Sequence, residues 1–267
     1  HWTLGLCYYT QDKLPQALKS YQNSIKINPK YTWNYLSLAE TFDRQGALDQ
    51  VINYCKKSIE HNPHISRAFS LLGLALFDQN NPTKASKNFH TAIKLNPQNW
   101  QPYYYLGMIA SDEENYPKCI EYFLKVNEIH PKEINAYFYL GQSFYNLNDL
   151  PQAIKYYSQG LEVNMNHANL HYGIANAYIS EDNFELAAKH YVTCIQLDPQ
   201  LYNAHFNFAK ALHNKGDLKN AIAEYLEAIK IKPDYTLAYI GLGRIAQAQG
   251  DLPQAVKSFQ VAIQIDP

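Results

Sequence analysis

A fixed pattern of apolar and polar positions recurs along the chain with a period of 34 residues. Proline marks the same place in nearly every copy, for example at Pro29 and Pro63. Numbering each copy so that this proline is position 32 aligns the whole chain without a gap. A period of this size indicates an array of packed structural repeats that share one continuous core. The recurrent prolines are Pro29, Pro63, Pro97, Pro131, Pro199, Pro233 and Pro267.

Within each copy, apolar residues recur at positions 4, 7, 8 and 11, which is the spacing of one helix face. This stretch is predicted to form a first helix, helix A. Position 8 holds only glycine or alanine, although glycine costs about 1 kcal/mol relative to alanine inside a helix. We therefore expect another element to cross close to position 8. The residues at this position are Gly5, Ala39, Gly73, Gly107, Gly141, Ala175, Ala209 and Gly243.

Helix A is predicted to end near position 15, where Gly46, Gly216 and Gly250 suit a left-handed cap and Asn80, Asn148 and Asp182 can replace glycine. A second helix, helix B, follows. Proline often occupies its first turn, as at Pro151, and an aromatic residue usually fills position 24. The proline at position 32 should end helix B. Met165 replaces that proline in one copy, so nothing forces helix B to end there. This copy is expected to be either a soft joint or structurally silent.

This pattern resembles the tetratricopeptide repeat (TPR) family in its period, its signature positions and its terminal proline. The resemblance implies an all-α fold, a TPR-type α-solenoid in which antiparallel helix pairs form a right-handed superhelix with helix A on the concave side. A pentatricopeptide array is rejected, because its period is longer and its groove basic. We expect one solenoid made of units 1–29, 32–63, 66–97, 100–131, 134–165, 168–199, 202–233 and 236–267.

The two ends of the array lack the polar cap that a solenoid needs for solubility. The chain begins inside a helix A and stops at Pro267. We expect that it is part of a longer protein, or that its ends are covered by association.

Charge and hydropathy exclude several classes of partner. The net charge is −1, from 23 basic and 24 acidic residues, whereas a nucleic-acid-binding surface needs a basic excess. No apolar run reaches the length of a membrane-spanning helix, and the first residues do not resemble a signal peptide. We therefore expect a cytoplasmic protein with no nucleic acid partner and no membrane insertion.

No residue pattern indicates catalysis or a cofactor. Phosphate-binding glycine loops, nucleophile motifs and metal-ligand spacings are absent. His167 and His171 have the spacing of a helical metal pair, but position 4 also holds His205, so His171 and His205 are read as core residues. Four widely spaced cysteines are interpreted as free thiols that serve as small core residues. We expect a non-enzymatic protein with no cofactor and no bound metal.

The side of helix A opposite the core carries many aromatic residues in the middle of the array and polar residues further along. A contiguous aromatic surface usually marks a binding site, here for a peptide or an amphipathic helix. The alternative is that part of this stripe packs against the next repeat. The predicted binding-groove residues are Phe77, Tyr104, Tyr105, Met108, Phe138, Tyr139, Tyr145, Tyr172, Asn176, Phe206, Asn207, Lys210 and Arg244.

Two sites known in the family can be compared with these residues. The two-carboxylate clamp of chaperone-binding members has two asparagines, matched here by Asn176 and Asn207. Tyr172, Leu237 and Gly241 replace its basic residues, so the resemblance does not extend to the clamp. The asparagine ladder of arrays fused to sugar transferases is also missing, since Asn207 alone fits.

These observations favour a protein-protein interaction scaffold that binds its partner in the aromatic groove. Two alternatives remain open. The chain can be the substrate-recognition or regulatory arm of a larger enzyme, such as a glycosyltransferase, whose catalytic domain lies outside it. It can also be a self-assembling array that associates through its uncapped ends.

Overall fold

The computed structural model describes all residues, 1–267, and consists of helices joined by short turns. The predicted all-α class is confirmed, and each predicted repeat contains one pair of helices. The bounds of the sixteen helices are α1 Trp2–Thr10, α2 Leu14–Ile27, α3 Thr32–Arg44, α4 Leu48–His61, α5 Ser66–Asp78, α6 Pro82–Leu95, α7 Trp100–Asp112, α8 Tyr116–Ile129, α9 Ile134–Asn146, α10 Leu150–Val163, α11 Ala168–Ser180, α12 Phe184–Leu197, α13 Tyr202–Asn214, α14 Leu218–Ile231, α15 Thr236–Ala248 and α16 Leu252–Ile265.

Packing divides the chain into two compact units, the N-terminal unit (His1–Ala136) and the C-terminal unit (Tyr137–Pro267). In each unit helix A packs on helix B of its own repeat, and neighbouring helices A also touch. Examples are α3 with α5 in the N-terminal unit and α11 with α13 in the C-terminal unit. The helices A therefore lie side by side and form one layer of each unit. None of the sixteen helices is long and apolar enough to cross a membrane.

The expected close crossing at position 8 is confirmed, and the crossing group is the aromatic ring at position 24 of helix B. A methyl group built on Gly73 would lie 2.6 Å from Cε1 of Phe89, and one on Gly107 would lie 2.6 Å from Cε2 of Phe123. Phe89 and Phe123 are fully buried. In the repeat with Ala39 at position 8, the smaller Cys55 occupies position 24 and is also fully buried.

The predicted left-handed caps are confirmed, and the structure adds two that the sequence did not indicate. Gly46 and Asn80 have φ values of 69° and 57°, and Asp12 and Glu114 reach 58° and 54°. Glutamate has no local side-chain hydrogen bond to offset this conformation in the way that asparagine and aspartate do. Glu114 is therefore the least suited residue among the caps.

Met165 leaves the end of helix B unchanged, because α10 ends at Val163 in register with its neighbours. The residue before the missing proline is Asn164, and its Oδ1 accepts a hydrogen bond from the Asn166 backbone N–H at 3.0 Å. The same bond follows Asn62, where the N–H of His64 donates at 3.0 Å. An asparagine turn thus closes helix B whether or not proline follows.

Replacing Gly73 by alanine should lower stability by about 1–3 kcal/mol, because the added methyl overlaps the Phe89 ring. Helix propensity alone predicts the opposite sign, a gain of about 1 kcal/mol. The midpoint of urea denaturation distinguishes these two expectations for the stability of the variant. Combining Gly73→Ala with Phe89→Leu should be less damaging than the sum of the single changes, because the smaller side chain vacates the overlap. An unchanged or raised midpoint for Gly73→Ala would contradict the close crossing.

Replacing Glu114 by glycine should raise stability by about 1 kcal/mol, because glycine adopts positive φ without strain. The matched control is Glu113→Gly, since the preceding residue has a φ of −81° and gains nothing from glycine. Thermal unfolding monitored by circular dichroism gives the midpoint of each variant. Equal midpoints for the two variants would show that the cap is not strained.

Candidate functional site

In each of the two units, an open cavity lies on the outer side of helices A, which is the side opposite the core. The N-terminal cavity has a volume of about 190 Å³ and lies among α1, α3, α5 and α7. The C-terminal cavity has a volume of about 430 Å³ and lies among α9, α11 and α13, with one ring contributed by α12. Residues that line the N-terminal cavity are Tyr9, Glu40, Asp43, Arg67, Ser70, Leu71, Leu74, Gln101 and Tyr105, and those of the C-terminal cavity are Tyr145, Asn176, Ile179, Ser180, Tyr191, Asn207, Lys210, Ala211 and Asn214.

The predicted aromatic residues of the N-terminal unit pack mostly on one another and on the core. The Phe77 and Tyr105 rings lie 5.5 Å apart, and Tyr105 stacks on buried Phe89 at 5.4 Å. Tyr104 meets the edge of Phe123 at 5.5 Å. Of the predicted residues, Tyr105 lines the N-terminal cavity. Ring packing between neighbouring helices A, the alternative that the sequence left open, therefore accounts for part of the stripe.

Several predicted aromatic residues of the C-terminal unit also lie against core rings. Phe138 lies 6.2 Å from the ring of Tyr157, and Phe206 lies 5.8 Å from that of Tyr225. Both core tyrosines occupy position 24 and are buried. The remaining predicted residues differ in exposure. Met108 in the N-terminal unit is half-buried, as is Tyr139, whereas Arg244 is exposed.

A polar network joins three of the predicted residues at the floor of the C-terminal cavity. The Asn207 side-chain N–H donates to the Tyr172 hydroxyl at 2.8 Å and to Asn176 Oδ1 at 3.1 Å. The Tyr191 hydroxyl donates to the same Asn176 oxygen at 2.6 Å. Burial raises the pKa of Tyr172 and Tyr191, so both hydroxyls keep their protons. Lys210 brings the cationic group that lines this cavity.

The N-terminal cavity has the opposite chemistry, because two carboxylates line it and a third lies beside it. Glu40 pairs with Arg67 at 2.5 Å, yet burial raises the pKa of Glu40. The pKa of Asp43 is also raised, first by burial and then by the nearby charge of Asp78. Burial alone raises the pKa of Asp78. Acidic groups held in surroundings that disfavour their charge reduce stability, and such groups are concentrated at functional sites.

Sequence reasoning missed these carboxylates, although the signal was present. Glu40 and Asp43 stand at positions 9 and 12 of their repeat, and Asp78 stands at position 13, all on the outer side of helix A. The predicted groove residues include no acidic side chain. Tyr191 was missed for another reason, because it belongs to the core position 24 and only its hydroxyl reaches the C-terminal cavity.

His171 and His205 form hydrogen bonds within the fold, whereas the buried Nδ1 of His167 has no partner. His171 Nε2 lies 3.1 Å from the Met165 carbonyl oxygen, and its Nδ1 lies 2.9 Å from Nδ1 of His190. His205 makes the equivalent contacts with the Pro199 carbonyl oxygen and the Glu224 carboxylate. No group of three or more histidine, cysteine or acidic side chains could hold a metal ion.

All four cysteines are free. Three of them, Cys55, Cys119 and Cys194, are buried as expected, but Cys7 is exposed and is not a core residue. Cys7 lies on α1, outside the apolar face of that helix. Burial raises the pKa of Cys194 to about 12, so its thiol stays protonated.

Comparison with known families agrees with the repeat pattern and the helix pairs. Models described as tetratricopeptide repeat match residues 66–99, 134–167 and 168–201, and a TPR repeat model matches residues 209–247. The chain belongs to the tetratricopeptide repeat family. Together these matches cover more than half of the sequence and include helices of both units.

Several solved structures share this fold. The C-terminal part of a TPR repeat-containing protein from Cytophaga hutchinsonii is 17% identical and aligns over 91% of this chain and 99% of its own, with a TM-score of 0.71. PilF of Pseudomonas aeruginosa is 18% identical and aligns over 82% and 97%, with a TM-score of 0.67. YrrB, described as a TPR protein with an unusual peptide-binding site, is 21% identical and aligns over 69% and 95%, with a TM-score of 0.59.

Curated relatives match this TPR chain over a shorter stretch. Hsp70-Hsp90 organizing protein 3 of Arabidopsis thaliana is 28% identical over 85 residues, which is 32% of this chain and 15% of the relative. Hsp70-Hsp90 organizing protein 1 of Glycine max is 30% identical over 81 residues, which is 30% of this chain and 14% of the relative. The match therefore spans about one seventh of either relative.

Replacing Asp43 by asparagine should raise the midpoint of thermal unfolding by about 1–2 °C at pH 7. The folded-state pKa of Asp43 lies above its unfolded value, so the charged form destabilises the fold at neutral pH. The gain should shrink as the pH falls through the raised folded-state pKa. It vanishes only below the unfolded-state pKa of about 4, where the wild-type carboxyl is protonated in both states. The exposed Glu60→Gln variant is the control. A gain that is absent at pH 7, or constant from pH 7 to pH 4, would contradict the assigned burial.

Proposed function

We propose that this chain is a protein-protein interaction scaffold that holds a partner segment against the outer faces of its helices A. The observation that carries the proposal is the pair of open cavities, each lined by consecutive helices A. Cavities with apolar floors and a few fixed polar groups are the usual form of a recognition site. The rings of the core offer no such site, because packed side chains surround them.

The C-terminal cavity supports binding of an extended peptide. Asn176 and Asn207 are held in place by their bond to one another and by the tyrosine hydroxyls on either side. A fixed amide can pair with a peptide backbone without first losing conformational entropy, which favours affinity. Lys210 and Asn214, both exposed, add polar groups at the edge.

The names of similar proteins also favour binding to a peptide or protein. YrrB is described as having a peptide-binding site, and the curated relatives are named as organizers of Hsp70 and Hsp90. Two of the clamp asparagines are matched here by Asn176 and Asn207, but Tyr172 replaces a basic residue and donates no positive charge. We propose that the partner segment is a peptide other than the acidic chaperone terminus that the clamp recognises.

Photo-crosslinking from defined positions tests the proposal. A benzophenone amino acid is placed in the C-terminal cavity, at Tyr145 or at Asn214, and the protein is illuminated in extract of the cells that encode it. The matched controls carry the same group on helices B, at Lys189 or at Lys219, which are exposed. These positions leave the packed rings of Phe138 and Tyr172 unchanged.

The expected result is a discrete crosslinked product from the two cavity positions and none from the helix B positions. Peptide mapping of that product should place the crosslink in one short segment of the partner. Equal products from both faces, or products only from helices B, would show that partner binding does not use the outer faces of helices A.

A further inference from the structure

The N-terminal cavity combines an apolar floor with unbalanced negative charge. Leu71, Leu74 and Tyr105 line it, and Asp43 stands beside them. Asp78 lies four residues after Leu74 on α5, so it projects from the same face of that helix. The pKa values of Asp43 and Tyr105 are both raised first by burial and then by the charge of Asp78.

The carboxylates differ in whether a basic side chain forms an ion pair with them. Glu40 is paired with Arg67, but neither Asp43 nor Asp78 has a basic side chain within ion-pair distance. Asp43 is half-buried and Asp78 is largely exposed, and partial desolvation raises the pKa of both aspartates. Charges that lower stability and lack an internal partner are stabilised when a ligand supplies the opposite charge.

The chemistry of the ligand follows from the lining. No acidic cluster in the structure could hold a metal ion, so a bare divalent cation does not fit. A lysine or arginine side chain fits, because its charged end can reach the aspartates while its aliphatic part lies on leucine and tyrosine. An aromatic ring such as Tyr105 also attracts a cation that approaches its face. The C-terminal cavity has no acidic residue in its lining and contains Lys210, so it lacks this complementarity.

We propose that the N-terminal cavity binds a protein segment in which lysine or arginine stands next to an apolar residue. This inference rests on the proposed scaffold function and assigns a partner chemistry to one of its cavities. Glu40 and Arg67 act as a fixed pair at the cavity edge. Asp43 and Asp78 receive the basic side chain, and the apolar neighbour of that side chain packs on Leu71 and Leu74.

Peptide selection from a random library displayed on phage tests the inference with the full chain as bait. The test variant combines Asp43→Asn with Asp78→Asn. The matched control combines Glu60→Gln with Glu121→Gln, which removes the same charge from exposed positions on helices B. Removing the cavity charges is expected to raise stability, so loss of binding is not explained by unfolding, and a thermal melt of each bait verifies this.

The expected result is enrichment of lysine and arginine in peptides selected by the wild type and by the control, and loss of that enrichment with the test variant. A synthetic peptide from the wild-type pool should bind the test variant about tenfold more weakly, as measured by fluorescence anisotropy. Raising the salt concentration about tenfold should weaken binding to the wild type more than binding to the test variant.

Other outcomes overturn the inference in distinguishable ways. Peptides without basic enrichment, or enrichment that persists in the test variant, would show that the chain binds peptides but that the N-terminal cavity does not select them by charge. The scaffold function would then stand. Failure of every bait to select any peptide would contradict both the inference and the peptide-binding form of the proposed function.

Discussion

The contact between the ring at position 24 of helix B and the small residue at position 8 of helix A sets the spacing within each pair of helices. Gly73 lies against the Phe89 ring and Gly107 against the Phe123 ring, at distances that leave no room for a Cβ. The rings are fully buried, so each contact also supplies much of the apolar area of its repeat. Alanine at position 8 accompanies the smaller Cys55 in one repeat, and it accompanies the full rings of Tyr191 and Tyr225 in two others, at Ala175 and Ala209.

Close packing of each pair also determines what the outer side of helix A can do. Because the rings fill the space between the helices, aromatic residues on the neighbouring positions, such as Phe138 and Phe206, rest on those rings. They enlarge the core at the expense of exposed binding surface. The cavities remain only where the lining is smaller or polar, as around Leu74 in one unit and Asn176 in the other.

Charge distinguishes the two cavities within one repeated scaffold. At the same position 9 of helix A, one cavity contains Glu40 and the other Lys210. A near-neutral chain can therefore carry local surfaces of opposite sign. The aspartates reduce stability where they stand, whereas the amide network of Asn207 satisfies its own polar groups. The repeated positions thus determine the fold, and the variable positions determine the charge and polarity of each cavity.

The sequence alone determined the helix pairs, their order and six of the eight left-handed caps, because each depends on neighbours within one or two turns. It also identified the tight site at position 8, from glycine where helix propensity disfavours it. Only the tertiary structure decided which outer residues face a cavity. Tyr105 and Tyr104 are adjacent in sequence and alike in chemistry, but Tyr105 lines the cavity while Tyr104 packs on Phe123. Those contacts depend on how neighbouring repeats pack, which a single repeat does not encode.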